Sequence, residues 1–254
     1  MKDQSRSKSR PQPEPQLEDD RRIGLARAIS KLGYCSRSRA VELVRAGQVR
    51  LNEKVCRNPE APTRAGKDRI EVEGGKVQES EKIYLMLNKP RGIVTTASDE
   101  KGRETIYSLL PEKLPWIAPV GRLDKSSEGL LLLTNDSAWA ARILDPESQL
   151  EKTYHVQVNT VAHERLLQKL QEGVREEGEL LRAKRATILR GGEKNTWLEI
   201  VLEEGKNRQI RRMLEALNLE VLRLVRVSIG TLALGNLAKG KTRVLTQEEK
   251  TALC

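Results

Sequence analysis

Phenylalanine is absent from this chain, and aromatic rings come only from three tryptophans and four tyrosines. So few rings exclude the broad stacking platform on which single-strand binders lay successive bases. The three cysteines, Cys35, Cys56 and Cys254, and the two histidines, His155 and His163, are scattered. They form neither a disulfide framework nor paired zinc-ligand spacing, which points to a reducing, cytoplasmic compartment. No run approaches the ~18 apolar residues that cross a bilayer, so an integral membrane protein is excluded. Residues 1–20 are polar and hold no apolar stretch of the kind a secretory signal needs.

What the chain has is length and positive charge. Its 254 residues allow one large domain or two unequal ones, with enough apolar residues to bury a core. The formal net charge is +10. Residues 21–70 hold 13 Lys and Arg against 4 Asp and Glu, so nearly all the excess sits in one fifth of the chain. A compact basic module calls for a polyanionic partner, and nucleic acid is the commonest.

The pattern divides the chain at two places. Residues 1–20, with Pro11, Pro13 and Pro15 among polar neighbours, read as a disordered tail. From residue 21, Ile23, Ala26 and Ile29 share a helical face that Gly33 ends. Ser36 caps a second helix with Ala40, Val41 and Val44 inward and Gly47 at its end. Arg37, Arg39 and Arg45 then project outward. Residues 48–51 and Val55 flank a turn, and residues 69–73 alternate as a strand. Gly74, Gly75 and the polar run to Lys82 read as a linker, giving a basic front module with its linker over 21–79 and a larger domain over 80–254.

In the larger domain, residues 83–87, 93–96, 130–133, 152–158, 197–202 and 221–229 read as strands. Helices are expected over 162–172, from about Arg208 to Leu217, and after Asp136, with Trp139, Ala140, Ile143 and Leu144 on one face. A last short helix follows the capping-box pair Thr246 and Glu249. Strands and helices mix without strict alternation, so the domain is expected to be α+β with a mostly antiparallel sheet.

The stretch from Gly121 to Gly129 is a charged, Gly- and Ser-rich loop set before a buried strand, where rigid scaffolds present reactive groups. Asp124 is its candidate nucleophile. A carboxylate attacks carbon only while ionised, and a nearby guanidinium keeps it so. Arg208, Arg211 and Arg212 share the flank of their helix opposite Ile210, Met213, Leu214 and Leu217, where arginines are commonly a solvated face. Tyr154 fits either a core or a ring stacked on an extruded base. Glu128 raises the alternative of a glycosidase-like carboxylate pair with Asp124. Gly205, Lys206 and Asn207 lack the full phosphate-loop pattern, which argues against a nucleoside triphosphatase.

These residues resemble a known family. Gly121-Arg122-Leu123-Asp124 through Glu128-Gly129 to Asp136 looks like the signature of RNA pseudouridine synthases of the RsuA type, closest to the large-subunit enzymes called B. Residues 89–92, 151–154 and 204–214 resemble three further motifs of that family, in order. Residues 21–70 resemble the αL RNA-binding module named after ribosomal protein S-four. The resemblance implies a pseudouridine synthase fold and isomerisation of uridine in ribosomal RNA, 23S in preference to 16S. It implies no cofactor and no metal. By the same resemblance Asp124 is the catalytic aspartate, Tyr154 the stacking tyrosine that assists proton transfer, and Arg211 the basic partner of the aspartate. Arg122 is the arginine linked to nucleotide flipping. Lys206, Arg208 and Arg212 are the remaining expected RNA contacts of this domain; Arg37, Arg39, Arg45 and Arg50 are those of the front module. Ser127 stands where many relatives have Thr, and Arg208 where some have His. The expected partner is ribosomal RNA or a subunit assembly intermediate, met by a cytoplasmic monomer with no membrane contact. The alternative is a non-catalytic RNA-binding assembly factor.

Overall fold

The computed structural model describes residues 22–97 and 101–254, so the tail expected over residues 1–20 lies outside the described residues. At the N-terminal end, two short helices pack on a small antiparallel sheet. The first helix, Leu25–Lys31, starts two residues later than its apolar spacing suggested. Ile23 is not on it: Gly24 is extended, and Ile23–Gly24 pairs with Pro62–Thr63. Gly33 then takes a φ of +80°, which a side chain would strain, and ends the helix. The Ser36 hydroxyl accepts the Arg39 N–H at 3.1 Å and starts the second helix, Arg37–Arg45.

The turn between Val49–Leu51 and Lys54–Val55 places Asn52 and Glu53 at positive φ, the twist a two-residue hairpin needs. Ile70–Val72 adds beside Val49–Leu51, and Gly75–Lys76 pairs with it in turn. The stretch expected to be linker therefore begins as a hairpin, turned by Glu73 and Gly74 at positive φ. Val77 is buried with Leu25, Ile29, Leu43, Val49 and Ile70, which carries this core past residue 75.

The rest of the chain is built on one large sheet. In spatial order its strands are Arg185–Gly191, Thr196–Leu202, Lys152–Val158, Val221–Ile229, Glu128–Thr134, Tyr84–Lys89 and Thr242–Val244. Val221–Ile229 runs parallel to Glu128–Thr134 where Val225 and Arg226 meet Glu128 and Gly129; the other neighbours along this order are antiparallel. Ala118–Val120 pairs with Glu128–Thr134, and Leu232–Ala233 with Val221–Ile229. Of the expected strands, residues 93–96 supply only an isolated bridge from Val94 to Thr105.

The four consecutive leucines, 130–133, of strand Glu128–Thr134 follow from its central place. Leu131 and Leu133 pack with Leu87, Ile106 and Ile117 on one face, while Leu130 and Leu132 pack with Met86, Trp139 and Ile143 on the other. Each such leucine contributes roughly 1.5–3 kcal/mol by leaving water. A third core forms where the helices Glu164–Glu172 and Gln209–Glu215 cover the inner face of three strands through Leu167, Leu170, Met213 and Leu214, against Val156, Leu198, Ile200 and Leu224.

Asp136 caps the helix Ser137–Leu144 by accepting the N–H groups of Ala138 and Trp139, and it also accepts the Tyr84 hydroxyl at 2.8 Å. Burial first, then this bond, push the Tyr84 phenol up to about 12. Leu144 does not share the inner face of that helix. It is 53% exposed at the last turn, because Asp145 leaves helical geometry immediately after it. The capping box of Thr246 and Glu249 closes the final helix, Gln247–Ala252. Hydrogen bonds from the Ser80 N–H to the Leu32 carbonyl and from the Trp116 N–H to the Gly33 carbonyl link the C-terminal end of the first helix to the larger sheet domain.

Candidate active site

The loop Gly121–Ser127 turns tightly before the central strand, with the Ser127 N–H donating to the Asp124 carbonyl at 3.0 Å. The end of strand Tyr84–Lys89 holds this loop from below. The Lys89 side chain has no exposed surface, and its ammonium donates to the carbonyls of Pro90, Asp124 and Ser127 at 3.2, 3.1 and 2.9 Å. A wholly buried lysine survives only if its donors are satisfied. Burial nevertheless draws its pKa down to about 8, with Asp124 and Glu128 opposing. The Gly92 N–H adds a bond to the Lys125 carbonyl, and the Thr95 hydroxyl one to the Leu123 carbonyl.

The side chain of Asp124 is left partly open, 36% exposed, and faces Arg208 with 3.6 Å between Oδ2 and Nη1. Arg208 precedes the helix Gln209–Glu215 in the left-handed region, at φ +48°, and also reaches Glu215 at 3.4 Å. Arg211, expected to be the basic partner of the aspartate, lines the same cleft and feels the Asp124 charge but forms no direct ion pair with it. It is buried rather than on a solvated flank, and its amino groups donate to the carbonyls of Ser126 at 3.2 Å and Val221 at 3.5 Å. The reason is that the loop Gly121–Ser127 itself covers that flank of the helix. Burial, followed by repulsion from Arg208, lowers the pKa of Arg211.

Arg212 is also not free for RNA. It is clamped by Glu176, Glu179 and Glu177 at 2.6, 2.7 and 3.6 Å, carboxylates brought to it by the hairpin Val174–Glu176 and Glu179–Leu181. Glu128 is no partner of Asp124. At 3% exposure it is ion-paired to Arg223 and Lys239, at 2.8 and 2.6 Å, which overturns the glycosidase-like pair.

Tyr154 lies on strand Lys152–Val158, packed between two of the cores and lining the same cleft as Asp124. The cleft has a volume of about 510 Å³ and also admits Arg122, which is exposed, and Lys206, whose ammonium meets the Leu180 carbonyl at 3.1 Å and Glu204 at 3.3 Å. Among the described residues, the buried side-chain polar atoms without a partner are Ser127 Oγ, Arg211 Nε and Arg226 Nη2. All three residues line this cleft. Buried polar groups are normally satisfied, so their concentration here marks a surface shaped for a polar ligand.

On the small N-terminal sheet domain, Arg37 pairs with Glu60 at 3.2 Å and Arg39 with Glu42 at 2.9 Å. Arg45 and Arg50 are exposed, and among the described residues neither has a carboxylate partner. No cluster of three or more His, Cys, Asp or Glu placed to hold a metal occurs among the described residues.

Sequence reasoning missed two contributors to the cleft, Lys152 and Arg226. Lys152 shares the inward face of its strand with Tyr154, a period-two signal visible in the sequence. Arg226 lies opposite Tyr154 across the sheet, on a strand where a bulge hides the alternation.

Residues 83–216 match the family model of RNA pseudouridylate synthase, and residues 23–70 match the S4 domain. The chain belongs to the RNA pseudouridylate synthase family. The synthase is 39% identical over 227 residues to the ribosomal large subunit pseudouridine synthase B of Bacillus subtilis, covering 89% of this chain and 93% of that one. It is 36% identical over 232 residues to an RNA pseudouridine synthase of Aquifex aeolicus, covering 91% and 93%. A crystal structure of a pseudouridylate synthase superposes on 91% of this chain and all of that one, with a TM-score of 0.63 and 32% identity. This synthase is therefore an RNA-modifying isomerase built from an S4 domain and a mostly antiparallel α+β catalytic domain.

Proposed function

We propose that this synthase converts uridine to pseudouridine in ribosomal RNA, in the 23S RNA of the large subunit, with Asp124 as nucleophile. The main support is the placement of Asp124: its backbone is pinned by Lys89, its carboxylate is open to the cleft and faces Arg208, and Tyr154 lines the same space. The relative from Bacillus subtilis, named as a ribosomal large subunit enzyme, supports the choice of RNA.

The substrate uridine leaves its stack, at a cost of a few kcal/mol, and its base lies against Tyr154. The Asp124 carboxylate bonds to C1′ of the extruded nucleotide as the N1–C1′ bond breaks, and it is released again when C5 takes its place at C1′. The base turns, C5 bonds to C1′, the C5 proton is lost with help from Tyr154, and N1 regains a proton. Atoms balance, and no redox partner is needed. Arg208 supplies the counter-charge beside the carboxylate, while Arg211 fixes the loop through Ser126. Arg122 and Lys206 at the cleft, with Arg45 and Arg50 on the S4 domain, contact phosphates that position the RNA without reading sequence. The enzyme works as a cytoplasmic monomer on RNA or on an assembling subunit.

Because the C5 hydrogen is lost, ribosomal RNA made with uridine tritiated at C5 tests the reaction. Wild-type enzyme is expected to release tritium to water, and Asp124→Asn none. Equal release from both would remove Asp124 as nucleophile.

A further inference from the structure

Lys152 and Arg226 flank Tyr154. Lys152 lies two residues before Tyr154 on the same face of one strand, and Arg226 is opposite Tyr154 on the next. Both line the cleft. Arg226 is only 6% exposed; its Nε donates to the Leu130 carbonyl at 2.8 Å and its Nη2 meets nothing. The ammonium of Lys152 donates to the Glu203 carbonyl at 3.3 Å. Among the described residues no carboxylate pairs with either cation, although Glu151 and Glu203 beside Lys152 are both taken by Lys184.

A buried guanidinium beside a half-buried ammonium, with no carboxylate between them, is an unusual arrangement. Burial, and after it the field of Arg226, pull the Lys152 ammonium below its ordinary pKa. The fixed guanidinium fork and the adjacent ammonium leave several donors unfilled, and a phosphate offers acceptor oxygens on the scale of that fork. We infer that Lys152 and Arg226 seat a phosphodiester of the extruded nucleotide, holding its backbone while the base rests on Tyr154. The inference builds on the function proposed above and names the part of the substrate that these residues recognise.

Gly129 keeps this seat next to the nucleophile's loop. Its φ of +102° lets the central strand approach Arg226 so closely that a Cβ there would fall on the Arg226 carbonyl. The seat is thus tied to the strand that begins directly after the loop, and the phosphate registers the sugar relative to Asp124.

The test measures binding of full-length protein to transcribed 23S RNA across a series of salt concentrations, in an Asp124→Asn background that prevents turnover. Lys152→Gln is expected to weaken binding about tenfold and to reduce the slope of log affinity against log salt by roughly one, with Lys152→Arg restoring most of both. In a short RNA carrying the modified uridine, one methylphosphonate on its 5′ or 3′ side should weaken wild type to the level of Lys152→Gln and leave that variant unmoved. The affected side identifies which phosphate is held. Unchanged affinity and salt slope in Lys152→Gln, or an equal loss from the methylphosphonate in both proteins, overturns the phosphate seat. Pseudouridine formed by the enzyme with Asp124 intact is followed separately. No product with the salt effect intact would sink the chemistry and leave the seat standing.

Discussion

The ammonium of Lys89, sealed from solvent, donates to the main-chain carbonyl of Asp124 at 3.1 Å, so the residue proposed as nucleophile is held by its backbone and left free at its carboxylate. Lys89→Met keeps the apolar stem and removes the donor to three carbonyls. It is expected to cost about 1–3 kcal/mol of stability and to lower kcat more than it raises KM, since the loop loses its shape and not its charge. Urea unfolding together with steady-state kinetics checks both.

The pH behaviour of this lysine has a definite sign. Its folded pKa, near 8, lies below its ordinary value of 10.5. Between those values the unfolded chain holds a proton that the folded one has released, so its contribution to stability rises with pH across that window and is flat below it. Activity should move the other way, falling as pH rises through about 8 when the anchor loses a donor. Unfolding and rate profiles compared with Lys89→Met test this; parallel profiles in both proteins would contradict it.

Arg208 is the guanidinium nearest to the Asp124 carboxylate. Arg208→Gln is expected to lower kcat about tenfold to a hundredfold. Arg208→Gly should show the same loss in activity with less loss of stability, because it relieves a left-handed backbone. Single-turnover rates and thermal melts separate the two effects.

Glu128 distinguishes a structural carboxylate from a catalytic one. Burial raises its pKa, but hydrogen bonds from Arg223 and Lys239 and their charges outweigh this and hold it below the ordinary value. Its stabilising contribution is therefore present above the unfolded carboxyl pKa and is lost as pH falls through the folded one. Glu128→Gln should destabilise by about 1–3 kcal/mol at neutral pH and flatten the acid side of the stability profile, while folded enzyme keeps its activity. Loss of activity with stability intact would return Glu128 to the chemistry.

Gly129→Ala is expected to be among the most damaging small substitutions, costing more than about 3 kcal/mol, because both the φ of +102° and the Arg226 backbone resist a side chain. Chemical denaturation of the purified variant, or its failure to accumulate as folded protein, reads this directly.

The sequence was most legible where a local rule decides the structure. Gly33, Ser36 and the Thr246–Glu249 pair act within one turn of chain, and the four leucines 130–133 require a strand buried on both faces. Strands such as Ala118–Val120 and Thr242–Val244 are too short to show a period, and they are held by Leu132–Thr134 and by Leu85–Leu87 from elsewhere in the chain. The site divides in the same way. Asp124 and Tyr154 stand out by motif. The burial of Arg211 does not, because a helix's own spacing reveals which face is apolar but not that a distant loop will cover the other. Lys89 was legible as part of a motif, and its wholly buried anchoring role was not, since lysine is ordinarily a surface residue.

The most direct test of the central claim is to map pseudouridine in ribosomal RNA from cells lacking this gene, after incubation with wild type or Asp124→Asn, using carbodiimide modification and primer extension on free RNA and on isolated subunits. The account predicts one new stop in 23S RNA with wild type and none with the variant. A stop with both proteins, or none with wild type on either free RNA or subunits, would contradict it.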